Sequence, residues 1–156
     1  HTVAVPGGGV DDAGIAGALE EYASGRAIAA RYARETRTAM RVPADEVAER
    51  ARAGDEAARA VYTTVGECLG TVLAGAINLL NLPLVVFGGG VSNSFDLFAP
   101  SMKRLTEASV FARANPAPRF IRSRFPEDAA LLGAAAMAFG AARSRSLGAR
   151  SEAVRR

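Results

Sequence analysis

Residues 84–87, Leu-Val-Val-Phe, run directly into Gly88, Gly89 and Gly90, and no other stretch constrains the fold as much. Four apolar residues without polar alternation predict an interior strand covered on both faces. Pro83 separates this strand from a long helical pattern that begins near Asp55 and reaches Leu80. Asn93 to about Ser109 reads as a helix, Arg119 to Ser123 as a second strand, and Pro126, Glu127 and Asp128 open a last helix. Helix, strand, helix, strand, helix in that order predicts parallel strands joined by a crossover, an α/β layer. Two strands are too few for a free-standing sheet of this kind, so part of the layer is expected from outside the chain.

The flanking segments fill in the helices. Residues 1–16 read as irregular around Pro6 and Gly7 to Gly9, with Thr2 to Val5 a possible extended piece. Ala18 to Glu35 is helical, with Ser24 and Gly25 as a break, and residues 42–54 form a short helix with Pro43 early and Gly54 as a stop. In the long helix Asp55 is a good N-cap. Val61, Val65, Cys68, Leu69, Val72, Leu73, Ala76, Ile77 and Leu80 form one stripe, and no charge follows Glu67, so the second half is expected to be buried nearly all round. Gly66, Gly70 and Gly75 cost helix stability, which predicts close packing against another backbone.

Composition excludes more than it assigns. The chain's 156 residues fit one domain or one lobe of a larger protein. Its opening residue, His1 rather than Met, suggests a processed or cut chain. No apolar run reaches the eighteen or so residues of a membrane helix, and no signal peptide is visible, so no membrane partner is expected. The single cysteine, Cys68, forbids an internal disulfide, reads as a buried core thiol and fits a reducing, cytoplasmic setting. The net charge of +3 lies in residues 143–156, a tail with five arginines and one glutamate that is expected to fray; the rest has 14 basic and 15 acidic residues. Without a basic patch interleaved with aromatics, nucleic acid is not an expected partner.

A glycine-rich turn at the carboxyl end of a strand is where open α/β sheets approach ligands, and its N–H groups can hold a phosphate or lie against a nucleoside. It is neither a P-loop, because no Gly-Lys-Ser/Thr follows, nor the GxGxxG fingerprint. Taken alone, the residues leave a plain tight turn and a ligand contact equally open.

The context favours the ligand contact. Residues 69–105, LGTVLAGAINLLNLPLVVFGGGVSNSFDLFAPSMKRL, resemble the C-terminal lobe of the ROK family of repressors, open reading frames and sugar kinases. Residues 125–138, FPEDAALLGAAAMA, are similar to that family's closing segment, and residues 17–28, GALEEYASGRAI, to its GCLE…SG signature. The resemblance covers residues 1 to about 142. It implies a helix-rich α/β fold with few parallel strands, the C-terminal lobe of an actin-like, ribonuclease H-like ATPase.

The resemblance also implies site residues. Gly88, Gly89 and Gly90 would lie against adenosine or its phosphates, with Val91 and Ser92 nearby. Glu20 would accept hydrogen bonds from sugar hydroxyls, as a carboxylate can from two neighbours; the other reading of Glu20 is an acid favoured at a helix N-terminus. Glu21 would face elsewhere. His1 would be the sugar-binding histidine, or else an exposed terminal residue. The family's cysteine zinc ligands fall on Asp11, Ala13 and Ala18, with Gly14 and Gly17 retained. Alanine ligates nothing, so no zinc is expected, and apolar packing is expected to hold this loop.

No DxGGT phosphate loop and no motif of a catalytic aspartate is present, so no catalytic residue is assigned. The expected function is the C-terminal half of an ATP- and Mg²⁺-dependent kinase for a hexose or amino sugar, inert without its N-terminal lobe. The alternative is the sugar-sensing body of a ROK repressor; a third reading is a non-catalytic interaction lobe that uses the arginine tail. Homo-oligomers are common in the family, and the long apolar helix could supply a dimer face.

Overall fold

The computed structural model describes residues 2–111, 118–125 and 127–140. Six α-helices and two strands follow one another as α1 (Glu20–Ala23), α2 (Gly25–Glu35), α3 (Ala44–Arg52), α4 (Glu56–Leu80), β1 (Leu84–Phe87), α5 (Phe95–Ser109), β2 (Arg119–Arg122) and α6 (Ala129–Gly140). A 3₁₀ turn, Gly90–Ser94, leads into α5. The fold is thus helix-rich α/β, and β1 pairs in parallel with β2, Val85 opposite Phe120, with α5 in the crossover.

Local chemistry sets the boundaries. The break between α1 and α2 falls at Ser24, whose Oγ accepts from the Ala27 N–H at 3.2 Å. Asp55 caps α4 by accepting from the Ala58 N–H at 3.0 Å. Asn81 ends α4 in the left-handed region at φ 53°, and its N–H returns to the Ile77 carbonyl at 2.8 Å. Pro83 keeps the chain from resuming the helix.

The core lies where α2, α3, α4 and α5 meet, around Ile28, Tyr32, Val47, Val61, Tyr62, Val65, Phe98 and Met102. Phe98 sits at its centre and packs on Phe87 of β1 and Phe95, with ring centroids 5.7 and 5.5 Å away. α4 and α5 approach closely because Gly66 and Gly70 present bare backbone. A Cβ at Gly66 would stand 2.3 Å from the Phe98 carbonyl oxygen, and one at Gly70 would stand 2.9 Å from that of Met102.

Four sequence expectations need correction. β1 is covered on one face only: Val85 and Phe87 turn inward, while Leu84 and Val86 are 43% and 54% exposed. A two-stranded sheet has helices on one side, so an apolar strand keeps an open face. The second half of α4 is likewise not buried all round. Ala74 and Ile77 face the core, but Leu79 is 83% exposed, because α5 contacts one face of α4. Gly75 packs against nothing within 4 Å, unlike Gly66 and Gly70. Finally, α4 is long and apolar enough by composition to cross a membrane, contrary to the sequence reading. Nearly half of its most apolar window is buried inside this fold. The tail 143–156 lies outside the described residues.

Candidate functional site

The glycine turn leaves the carboxyl end of β1 at the edge of the core. Gly89 alone has a conformation that requires glycine, with φ 81°. A Cβ at Gly90 would meet nothing within 4 Å, and one at Gly88 would only touch the Ala129 Cβ at 3.9 Å. A tight turn therefore accounts for one of the three glycines; Gly90 leaves bare backbone facing open space, and Gly88 faces Ala129 at contact distance. Ser92 is buried and closes the turn: its Oγ donates to the Gly89 carbonyl at 2.7 Å and its N–H to the same oxygen at 3.0 Å.

Against this turn lies a cavity of about 430 Å³, walled by Gly90, Val91, Asn93 and Ser94 on one side and by Gly25, Ala44 and Asp45 on the other. Tyr62 forms its floor. The Tyr62 hydroxyl lies 2.9 Å from the Ala44 carbonyl and 3.3 Å from Ser94 Oγ, donating to the first and accepting from the second. This bond pair ties α3, α4 and the 3₁₀ turn together at the cavity. Burial pushes the Tyr62 phenol above the usual tyrosine range, so it stays protonated. Among the described residues no basic side chain lines the cavity; its walls are backbone, small apolar groups, the Tyr62, Asn93 and Ser94 side chains and one carboxylate.

Glu20 faces a second cavity, of about 410 Å³, with Thr2, Leu19, Ala23, Ser24 and Leu69. Its carboxylate is exposed and makes no hydrogen bond or ion pair among the described residues. Glu21 points elsewhere, as expected, and pairs with Arg26. Ser24 belongs to the Glu20 cavity and Gly25 to the cavity at the glycine turn, so the α1–α2 junction stands between the two. His1 lies outside the described residues.

The loop that would hold zinc in the resemblance is organised by a carboxylate. Asp11 is buried, and its Oδ1 accepts from the Ala13 N–H at 3.0 Å and the Ile15 N–H at 2.8 Å. Isolated antiparallel bridges, Val3 to Ala18 and Val10 to Ala16, close the loop. Gly17 is obligatory, because a Cβ would lie 1.7 Å from the Val5 carbonyl oxygen. Apolar packing, the expected support, is the lesser part: Val3 and Val10 are 44% and 61% exposed. Ala13 and Ala18 offer no donor, and Asp11 Oδ1 accepts from two backbone N–H groups, so the described residues of this loop do not fit a tetrahedral zinc site. Cys68 is buried in α4, and that burial raises its thiol pKa.

Sequence reasoning missed Tyr62, Ala44 and Asp45 as cavity residues. Tyr62 reads as one more apolar helix position, and nothing in the pattern of α3 indicates that its first turn opposes a loop more than forty residues later. Asn93 and Ser94 stand three and four residues after Gly90 and were within reach.

Comparison with known proteins identifies the family. A family model described as "ROK family" matches residues 1–141. A glucokinase from Thermotoga maritima is 28% identical, over 88% of this chain and 47% of its own length. A ROK family transcriptional regulator, a homolog of the E. coli MLC protein, superposes with a TM-score of 0.71 at 26% identity, covering 80% of this chain and 34% of its own. A ROK family glucokinase from Streptomyces griseus, solved with glucose and AMPPNP, shares the fold with a TM-score of 0.76 at 24% identity, over 88% of this chain and 49% of its own. The chain thus spans about half the length of the glucokinases it matches. With the family model matching residues 1–141 of its 156, the chain belongs to the ROK family.

Proposed function

We propose that this chain is the C-terminal half of an ATP-dependent kinase for a hexose or an amino sugar. The observation that carries the reading is the pair of cavities flanking the α1–α2 junction, one against the glycine turn and one against the free Glu20 carboxylate. Gly88, Gly89 and Gly90, with Val91 and Ser92, meet the nucleotide; Glu20, with His1, accepts from sugar hydroxyls. The bare backbone at Gly90, which lines the cavity, supports the first assignment, because a side chain there would occupy the ligand's space. The cavity lacks basic lining residues, which suits a nucleoside better than a phosphate chain. Triphosphate, Mg²⁺ and the base that activates the sugar hydroxyl belong on the N-terminal lobe, so the chain is inert by itself. Phosphoryl transfer depends on positioning and charge neutralisation, and this half supplies only part of the positioning. The working protein is cytoplasmic and a homo-oligomer on this reading.

Similarity to the transcriptional regulator favours a second reading, the sugar-sensing body of a ROK repressor. Titration of the isotope-labelled chain, followed by NMR, separates the two. Shifts at residues 88–92 with Mg·AMPPNP, and at residues 19–24 with a hexose lost in Glu20→Gln, are expected for the kinase half. Sugar binding without nucleotide binding would transfer the chain to the repressor reading. Sugar-dependent ATP hydrolysis by the chain alone would overturn the claim that it is inert.

A further inference from the structure

The glycine turn is bonded within itself through Ser92, whose Oγ and N–H both donate to the Gly89 carbonyl. Its exit is also held from two sides. From the end of α3, Arg52 Nε donates to Asp96 Oδ2 at 2.9 Å and Nη2 to Asp96 Oδ1 at 2.8 Å. The same Nη2 also donates to the Asn93 main-chain carbonyl at 3.2 Å. From β2, Arg122 donates to Asn93 Oδ1. One guanidinium therefore grips the Asn93 carbonyl just after the turn, and another grips the side chain of Asn93, which lines the cavity.

We propose that Arg52 is a positioning residue for the nucleotide end of this site: its fork to Asp96 and Asn93 holds the Gly88–Ser92 turn in the conformation that receives the ligand. The inference rests on the reading that the turn binds a nucleotide. Arginine is required because its planar fork reaches both Asp96 oxygens while a third contact goes to a carbonyl; a lysine has one compact head and cannot do this. The contact has little to do with stability. The Arg52 and Asp96 side chains are 35% and 57% exposed, and exposed ion pairs contribute little to folding. Its value lies in the fraction of molecules whose turn is ready to bind, because apparent affinity falls in proportion to that fraction.

The test uses the 156-residue chain and Mg·AMPPNP, with affinity read by ¹⁵N NMR titration, which reaches millimolar constants. In Arg52→Lys, which keeps the charge and loses the fork, the dissociation constant is expected to rise about tenfold, as it would if the competent fraction fell to about a tenth. Its melting temperature stays within about 2 °C of the unaltered chain. The Ser92 amide, bonded across the turn to Gly89, exchanges faster with solvent in the variant without ligand. Asp96→Asn, which leaves the Asn93 contact, shows a smaller loss of affinity, about threefold. Unchanged affinity in both variants, or a loss that follows a large drop in melting temperature, overturns the positioning role and leaves the nucleotide reading standing. An unaltered chain that binds no Mg·AMPPNP overturns the nucleotide reading and this proposal with it.

Discussion

Two glycines in one helix are expected to respond to the same substitution with opposite signs. Gly66 and Gly75 both lie inside α4, and alanine at either gains about 1 kcal/mol of helix propensity. At Gly75 nothing stands within 4 Å of the new methyl group, so that gain is kept. At Gly66 the methyl group would sit 2.0 Å from Ser101 Oγ, 2.3 Å from the Phe98 carbonyl oxygen and 2.9 Å from the Met102 nitrogen. Ser101 cannot swing away without giving up its bonds to the Thr63 and Phe98 carbonyls. Backbone atoms cannot rotate aside at all, so relief requires α5 to retreat by roughly 1 Å in a close-packed core. Overpacking of this kind costs about 1–3 kcal/mol, and the backbone obstacle places Gly66→Ala at the upper end, for a net loss of about 2 kcal/mol. At about 3 °C per kcal/mol for a chain of this size, Gly66→Ala melts about 6 °C lower and Gly75→Ala about 3 °C higher. Thermal and urea unfolding followed by circular dichroism measure both. If Gly66→Ala is neutral or stabilising, the close approach of α4 and α5 is wrong. If Gly75→Ala destabilises, the open face of α4 is wrong.

Two further outcomes are expected. Hydrogen bonds from the Tyr32 hydroxyl, at 2.6 Å, and from the Ala58 N–H hold the Asp55 carboxyl below the usual carboxylate range. A depressed folded-state pKa adds stability at pH above the unfolded value of about 4, and that stability is lost as pH falls through the folded value. Asp55→Asn should therefore lower the urea midpoint by more at pH 7 than at pH 3; an equal difference at both pH values would contradict the linkage. Cys68 is 5% exposed with its thiol pushed up by burial, so a disulfide reagent at pH 8 should label the folded chain on the order of a hundredfold more slowly than the unfolded one. Labelling at equal rates would place Cys68 on the surface.

Local rules were legible where a few neighbouring residues decide the outcome. The Ser24 break, the Asp55 cap, the end of α4 before Pro83 and the helix–strand–helix order all depend on contacts within four residues. The glycine turn was legible as a candidate because three glycines after an apolar strand are locally distinctive. Coverage was not legible. Leu84, Val86 and Leu79 are as apolar as their buried neighbours, and their exposure depends on where β2 and α5 lie.

The sequence by itself determined the element order, the position of the glycine turn and, through three motifs in order, the family. Those features follow from residue identity and spacing along the chain. Only the tertiary structure decided that Gly66 and Gly70 are spaces for α5 while Gly75 is not. It also decided that Asp11 organises the loop through backbone N–H groups, and that Tyr62 and Asp45 share a cavity with Gly90. Each of these is a meeting of groups distant in sequence or a direction in which a side chain points. Such relations are fixed by how α3, α4 and α5 pack on one another, which no local pattern encodes.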